Sequence, residues 1–123
     1  MHLTRREFEE LVVTALASVP DEFRERLENI EIVVEDHPSR EDLAGRDLPA
    51  GTLLLGIYRG VPLTARSATY PPLYPDRIAI FQHSLEQLCR TREEMMLEVR
   101  RTVLHEIAHY FGISDERLRE LGL

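Results

Sequence analysis

The chain has 123 residues, 43% of them apolar and 30% charged, close to the globular average, which excludes a disordered or fibrous chain. A single domain over residues 1–123 is expected, because this length suits one core and is too short for two. The net charge of −7, from 22 acidic against 15 basic side chains, has the wrong sign for a nucleic-acid binder unless arginines cluster on one face.

Met1 to Glu10 is charged and holds no apolar h-region, so no secretory leader is expected. No apolar run approaches the ~20 residues of a membrane span, and no membrane partner is expected. Thr4 and Glu7 form a capping-box pattern. Behind it Phe8, Leu11, Val12, Ala15, Leu16 and Val19 recur with helical spacing. Pro20 suits position N1 of a shorter second helix carried by Phe23, Leu27 and Ile30. The β-branched run Ile30 to Glu35 reads as the first strand.

His37 to Gly51 is polar and contains Pro38, Gly45, Pro49 and Gly51, the pattern of a loop. Leu53 to Tyr58 and Val61 to Arg66 flank Arg59-Gly60 as the arms of a β-hairpin. Pro62 makes the second arm a sheet edge, since proline cannot donate to a ladder. Ser67 to Asp76, with three prolines and two tyrosines, reads as loop. Arg77 to Gln82 is the last strand, expected inside the sheet beside a long helix.

Leu85, Leu88 and Cys89 mark a short amphipathic turn or two. Cys89 is the only cysteine, so an internal disulfide is impossible and a reducing cytoplasm is the expected location. Thr91 and Glu94 repeat the capping-box pattern ahead of a helix running to about Phe111. Apolar residues cover much of that helix's circumference, which makes it central. Met95 and Met96 read as core. Gly112 fits its C-cap, Ser114 the N-cap of a last short helix, and Gly122 the end. The sum is an α+β fold: N-terminal helices, a small mixed twisted sheet of about four strands with an antiparallel edge, a long central helix and a short C-terminal one.

The long helix ends in His105-Glu106-Ile107-Ala108-His109, an HExxH motif. Histidines at i and i+4 lie about 40° apart around a helix and ~6 Å apart along it, so both imidazoles can reach one ion. Glu106 can then address a water on that ion. Zinc favours nitrogen ligands, and a catalytic site needs a third protein ligand and an open position. Gly112 permits a sharp reversal that can swing Asp115 back toward the metal; Glu116 and Glu120 are alternatives with little chain to reach it. Shuffling the composition produces HExxH only about 0.03 times per chain, so the motif is informative.

Extended to Asp115, the segment is HExxHxxGxxD, and it resembles the metzincin arm of the zincin metallopeptidases. With LLLGIYRGVPLT, PDRIAIF, TREE and DERLRELG, residues 20 to 123 are similar to a family of small bacterial zincin-like metallopeptidases. The resemblance implies a minimal zincin-like fold, one Zn²⁺ held by His105, His109 and Asp115, and Glu106 as catalytic base. It departs from the metzincins in one respect: no Met-turn follows the third ligand.

The expected function is zinc-dependent peptide-bond hydrolysis on a peptide or protein substrate. A metal-dependent amidase and a metal-bearing binding module without turnover are the alternatives, and the presence of Glu106 favours catalysis. An extended peptide is expected to pair along Leu63, Thr64, Ala65 and Arg66. Tyr70 and Tyr74 are candidate oxyanion donors, or pack on the prolines around them. Glu98 and Thr102 share the face of His105 as ligand-orienting or merely polar residues. Arg117 either pairs with Glu106 or Asp115 or faces solvent. His2, His37 and His83 lack ligand spacing and read as surface or satisfied polar groups.

Overall fold

The computed structural model describes residues 1–44, 52–60 and 76–120, apart from the side chains of Arg26 and Asp115. Helix α1 (Arg5–Ala17) opens on the expected reciprocal box: the Thr4 hydroxyl accepts from the Glu7 N–H, and the Glu7 carboxylate accepts from the Thr4 N–H. Phe8, Leu11, Val12 and Ala15 form its buried face. Pro20 is the N-cap of α2 (Asp21–Leu27), one residue ahead of the expected N1 position. Its backbone is extended (φ −56°, ψ 146°), and its carbonyl accepts from the Phe23 and Arg24 N–H groups, as an N-cap carbonyl does.

Strand β1 (Ile30–Glu35) has the expected bounds. The segment expected to be loop from His37 instead contains one helical turn, α3 (Arg40–Leu43). A second reciprocal box between Ser39 and Asp42 nucleates it. Four residues are too few to carry a hydrophobic period, so only the cap spacing could have signalled it. Strand β2 is Gly56–Arg59; Leu53 to Leu55, expected within it, precede the strand. The second hairpin arm, Val61 to Arg66, and the loop with Tyr70 and Tyr74 lie outside the described residues, as does Gly122. Of the about four strands expected, three are present among the described residues.

Strand β3 (Asp76–Phe81) begins one residue early and runs straight into α4 (Gln82–Leu88). The sheet order is β1-β3-β2, with β1 parallel and β2 antiparallel to β3. Ile78, Ala79, Ile80 and Phe81 are all fully buried, so the central strand is covered on both faces; its place inside the sheet is the one expected.

Helix α5 (Arg92–Phe111) packs against α1, β2 and β3 and buries Met95, Val99, Val103, Leu104, Ile107 and Ala108. Its capping box is only half made. The Thr91 hydroxyl accepts from the Glu94 N–H, but the Glu94 carboxylate takes the N–H of Arg90. Met96 is partly buried against the core and Cys89 lies within it. Leu88 and Leu97, counted among the apolar stripes, are half exposed. Gly112 ends α5 in the left-handed conformation (φ 73°), and the Ile113 N–H returns to the Ala108 carbonyl at 2.7 Å. Ser114 then accepts from the Arg117 N–H as α6 (Asp115–Glu120) begins.

Candidate active site

Helix α5 presents His105, Glu106 and His109 outside its buried stripe of Val103, Leu104, Ile107 and Ala108. His105 and Glu106 are half-buried and His109 is exposed. The two imidazole centroids stand 6.5 Å apart at 67°. Two imidazoles on one tetrahedral zinc bring their centroids to about 5 Å. Both rings stand on α5 at the i, i+4 spacing, so donor type and spacing fit one ion. Among the described residues no three His, Cys, Asp or Glu side chains converge on a point. Asp115 starts α6 directly after the Gly112 reversal, and its side chain lies outside the described residues.

Strand β2 runs along α5 in step with it. One turn of helix (four residues) rises about 6 Å, close to the rise of two strand residues, about 6.7 Å. Gly56 accordingly lies over Thr102 and Tyr58 over Glu106. A Cβ on Gly56 would stand 2.6 Å from Thr102 Cγ2 and 2.9 Å from the Ala79 carbonyl oxygen, so only glycine allows this approach. Thr102 therefore supports β2 sterically. Glu98 pairs with Arg101 at 3.2 Å, which fits the polar reading.

The Tyr58 N–H donates to Glu106 Oε2 at 3.1 Å. The ladder explains why that donor is available. The Phe81 N–H donates to the Leu55 carbonyl, and antiparallel pairs alternate between bonded and non-bonded. Given the observed register, Ile57 and Arg59 are the bonded positions, while Gly56 and Tyr58 turn their N–H and C=O away from β3. A cleft of about 280 Å³ lies between Leu54, Leu55 and Gly56 on one side and Glu98, Arg101, Thr102, His105 and Glu106 of α5 on the other.

Two further residues frame this edge, and sequence reasoning passed over both. The Tyr58 ring stacks on Tyr110 (centroids 4.2 Å apart, 12° between planes), and its hydroxyl donates to Asp76 Oδ2 at 2.7 Å. Burial, and then the Asp76 carboxylate, push the Tyr58 phenol well above its ordinary pKa. Tyr110 sits at i+4 from Glu106, a spacing that already placed it on the same helix face; Tyr58 carried no local signal.

Arg59 fixes the end of the strand through hydrogen bonds to both Glu35 oxygens (2.7 and 2.9 Å) and both Asp42 oxygens (2.7 and 3.1 Å). The Arg59 hydrogen bonds hold the Glu35 carboxyl below its ordinary pKa. At Asp42 burial pushes upward, but Arg59 and Ser39 outweigh it and the carboxyl is lowered.

The remaining candidates disperse. Arg117 pairs with Glu120 and Glu22, each partly exposed. His83 contacts Gln87 at 2.9 Å and His2 approaches Glu86 at 3.5 Å. His37 lies against His83, with ring centroids 4.5 Å apart. Leu63, Thr64, Ala65, Arg66, Tyr70 and Tyr74 lie outside the described residues. No helix among the described residues is long and apolar enough to cross a membrane.

No curated protein matches the chain. Among solved structures, it is similar to a conserved hypothetical protein from Thermo thermophilus, with 27% identity and a TM-score of 0.57 over 89% of this chain and 94% of that one. Residues 27–123, which hold the sheet, α5 and α6, match the profile described as zincin-like metallopeptidase, and the chain belongs to that family.

Proposed function

We propose that the protein is a zinc-dependent peptidase in which His105, His109 and Asp115 hold the metal and Glu106 is the general base. The observation that carries this reading is the setting of Glu106. Glu106 lines a cleft together with His105, and its carboxylate accepts from the Tyr58 N–H of a neighbouring strand, which orients it. Family membership supports a metal-dependent hydrolase of peptides.

Zinc bound at these residues supplies the Lewis acidity that makes water a nucleophile near neutral pH. Glu106 takes the proton of the attacking water and returns it to the leaving amine. The half-buried position of Glu106 on a rigid helix limits its rotamers, which is what proton transfer at a fixed atom requires. Beneath it the Tyr58–Tyr110 stack and the Arg59 bracket hold β2 in place, so the cleft wall does not drift from the base.

The test pairs metal analysis with peptide cleavage. Glu106→Gln should retain zinc and lose hydrolysis by about 10²–10⁴-fold, because an amide cannot accept the proton. Asp115→Ala should lower zinc affinity with little loss of fold. Unchanged cleavage by Glu106→Gln would reassign the base. Zinc bound with no cleavage of any peptide in a library would favour an amidase or a binding module instead.

A further inference from the structure

Just past the β1–β3 ladder, the sheet brings together two histidines that lie 46 residues apart in the chain. The parallel register runs from Ile30 opposite Asp76 to Glu35 opposite Phe81, and its continuation sets Asp36 beside Gln82 and His37 beside His83. The His83 N–H donates to the Asp36 carbonyl at 3.1 Å, which keeps that alignment beyond the last strand residue. The two imidazole centroids accordingly stand 4.5 Å apart, with 55° between the planes. Both rings border a cavity of about 400 Å³ at the carboxyl ends of β1 and β3, the end at which open α/β sheets take ligands. None of the residues lining it belongs to α5 or to the cleft beside that helix.

The same cavity is lined by Gln82, which is 5% exposed. Its Nε2 donates to the Leu3 carbonyl at 2.9 Å, which fixes the amide, and its Oε1 is buried without a partner. A buried carbonyl oxygen in that state calls for a donor or a cation. The charges of the wall decide against an anion. Arg5 is already held by the Val34 carbonyl and the Asp36 carboxylate, and Glu86 adds a second carboxylate, which accepts from the Leu3 N–H at 2.7 Å.

We infer that His37, His83 and the Gln82 carbonyl oxygen form a second metal site, for a divalent transition ion of the zinc class. Imidazole nitrogen with one oxygen donor suits such an ion, and two imidazoles on one tetrahedral zinc bring their centroids to about 5 Å. Among the described residues no third His, Cys, Asp or Glu joins the pair, so the amide oxygen is the third donor and water completes the shell. Gln87 stands 2.9 Å from His83 Nε2. With its amide oxygen turned to the ring it accepts the Nε2–H, which leaves Nδ1 as the ligating nitrogen. The ion ties the end of β1 to the start of α4 and takes no part in the hydrolysis.

The experiment counts zinc by elemental analysis after dialysis against buffered free zinc, in wild type, His37→Ala, His83→Ala and His105→Ala. The His37 ring is exposed and the His83 ring half-buried, so these substitutions leave the core intact. Each of His37→Ala and His83→Ala should hold one zinc fewer than wild type and cleave peptides at the wild-type rate. In wild type, adding zinc should also move the ring nitrogen resonances of His37 and His83 and the side-chain carbonyl resonance of Gln82, a readout independent of the variants. Equal zinc in wild type and His37→Ala, or ring nitrogens that zinc does not move, would overturn the inference. Zinc lost in His105→Ala alone would overturn it while leaving the active site standing. Zinc lost in both histidine variants but not in His105→Ala would support it and overturn the active-site ligands instead.

Discussion

Gly56→Ala tests whether β2 is pressed onto α5 as tightly as the contact geometry requires. Gly56 does not have a positive φ, so alanine fits the backbone, and in a strand it should gain roughly 0.5–1 kcal/mol of reduced chain entropy. Against this stands the new methyl, 2.6 Å from Thr102 Cγ2 and 2.9 Å from the Ala79 carbonyl oxygen. Ala79 belongs to the fully buried central strand and cannot retreat cheaply, so overpacking should cost about 1–3 kcal/mol. The net expectation is a loss of about 1–2 kcal/mol, or a fall of about 1 M in the urea midpoint. Thr102→Ser removes the nearer contact, and combined with Gly56→Ala it should recover about 0.5–1 kcal/mol in a double-mutant cycle. Because Tyr58 is two residues further along β2, displacement of the strand should also lower peptide hydrolysis. A Gly56→Ala protein as stable as the wild type, with no coupling to Thr102, would refute the close approach.

Gly112→Ala should destabilise by about 1–2 kcal/mol in chemical denaturation. The position has φ 73° with nothing within 4 Å of an added Cβ, so backbone strain is the whole cost; Gly112→Asn should cost less. Arg59→Met strands Glu35 and the buried Asp42 without their partner, which should cost about 2–3 kcal/mol after allowance for the partial exposure of Arg59 and Glu35. Both carboxyls are lowered in the folded protein. Their contribution to stability is therefore full above the ordinary carboxylate range and is lost as pH falls below about 4. Denaturation at a series of pH values should show that loss in the wild type and a flatter profile in Arg59→Met. Burial raises the Cys89 thiol, helped by the charges of Glu98 and Glu94, so an aromatic disulfide reagent at pH 8 should label Cys89 only once urea has unfolded the chain.

Features written locally in the chain were legible without a structure. The Thr4–Glu7 box, the bounds of β1, the reversal at Gly112 and the cap at Ser114 each depend on side chains within a few residues of the backbone they shape. The HExxH spacing is of the same kind, because helical geometry alone brings His105 and His109 to one face. What escaped was non-local or too short to carry a period. Helix α3 has four residues. The start of β2 is set by its register on β3 and by the Gly56–Thr102 contact, neither of which Leu53 or Leu54 announces. The bond from Tyr58 to Glu106 joins residues 48 apart, and its donor exists only because of the ladder's alternation. The Glu94 carboxylate shows the limit of motif reading even at short range. Its spacing promised a full capping box, yet the Arg90 N–H captured it.

The matching advance of α5 and β2 bears on how such a chain can change in length. Inserting one residue between Thr102 and Glu106 would turn everything beyond it by about 100° around the helix axis. Either the two histidines or the contacts under β2 would then face the wrong way. Deleting one residue between Gly56 and Tyr58 would flip the strand to its opposite face and remove the donor from Glu106. The two elements therefore act as paired rulers, and neither can gain or lose a residue alone. Length variation in relatives of this chain is expected in connectors outside this pair, such as the turn at Cys89 to Thr91, where no register is kept.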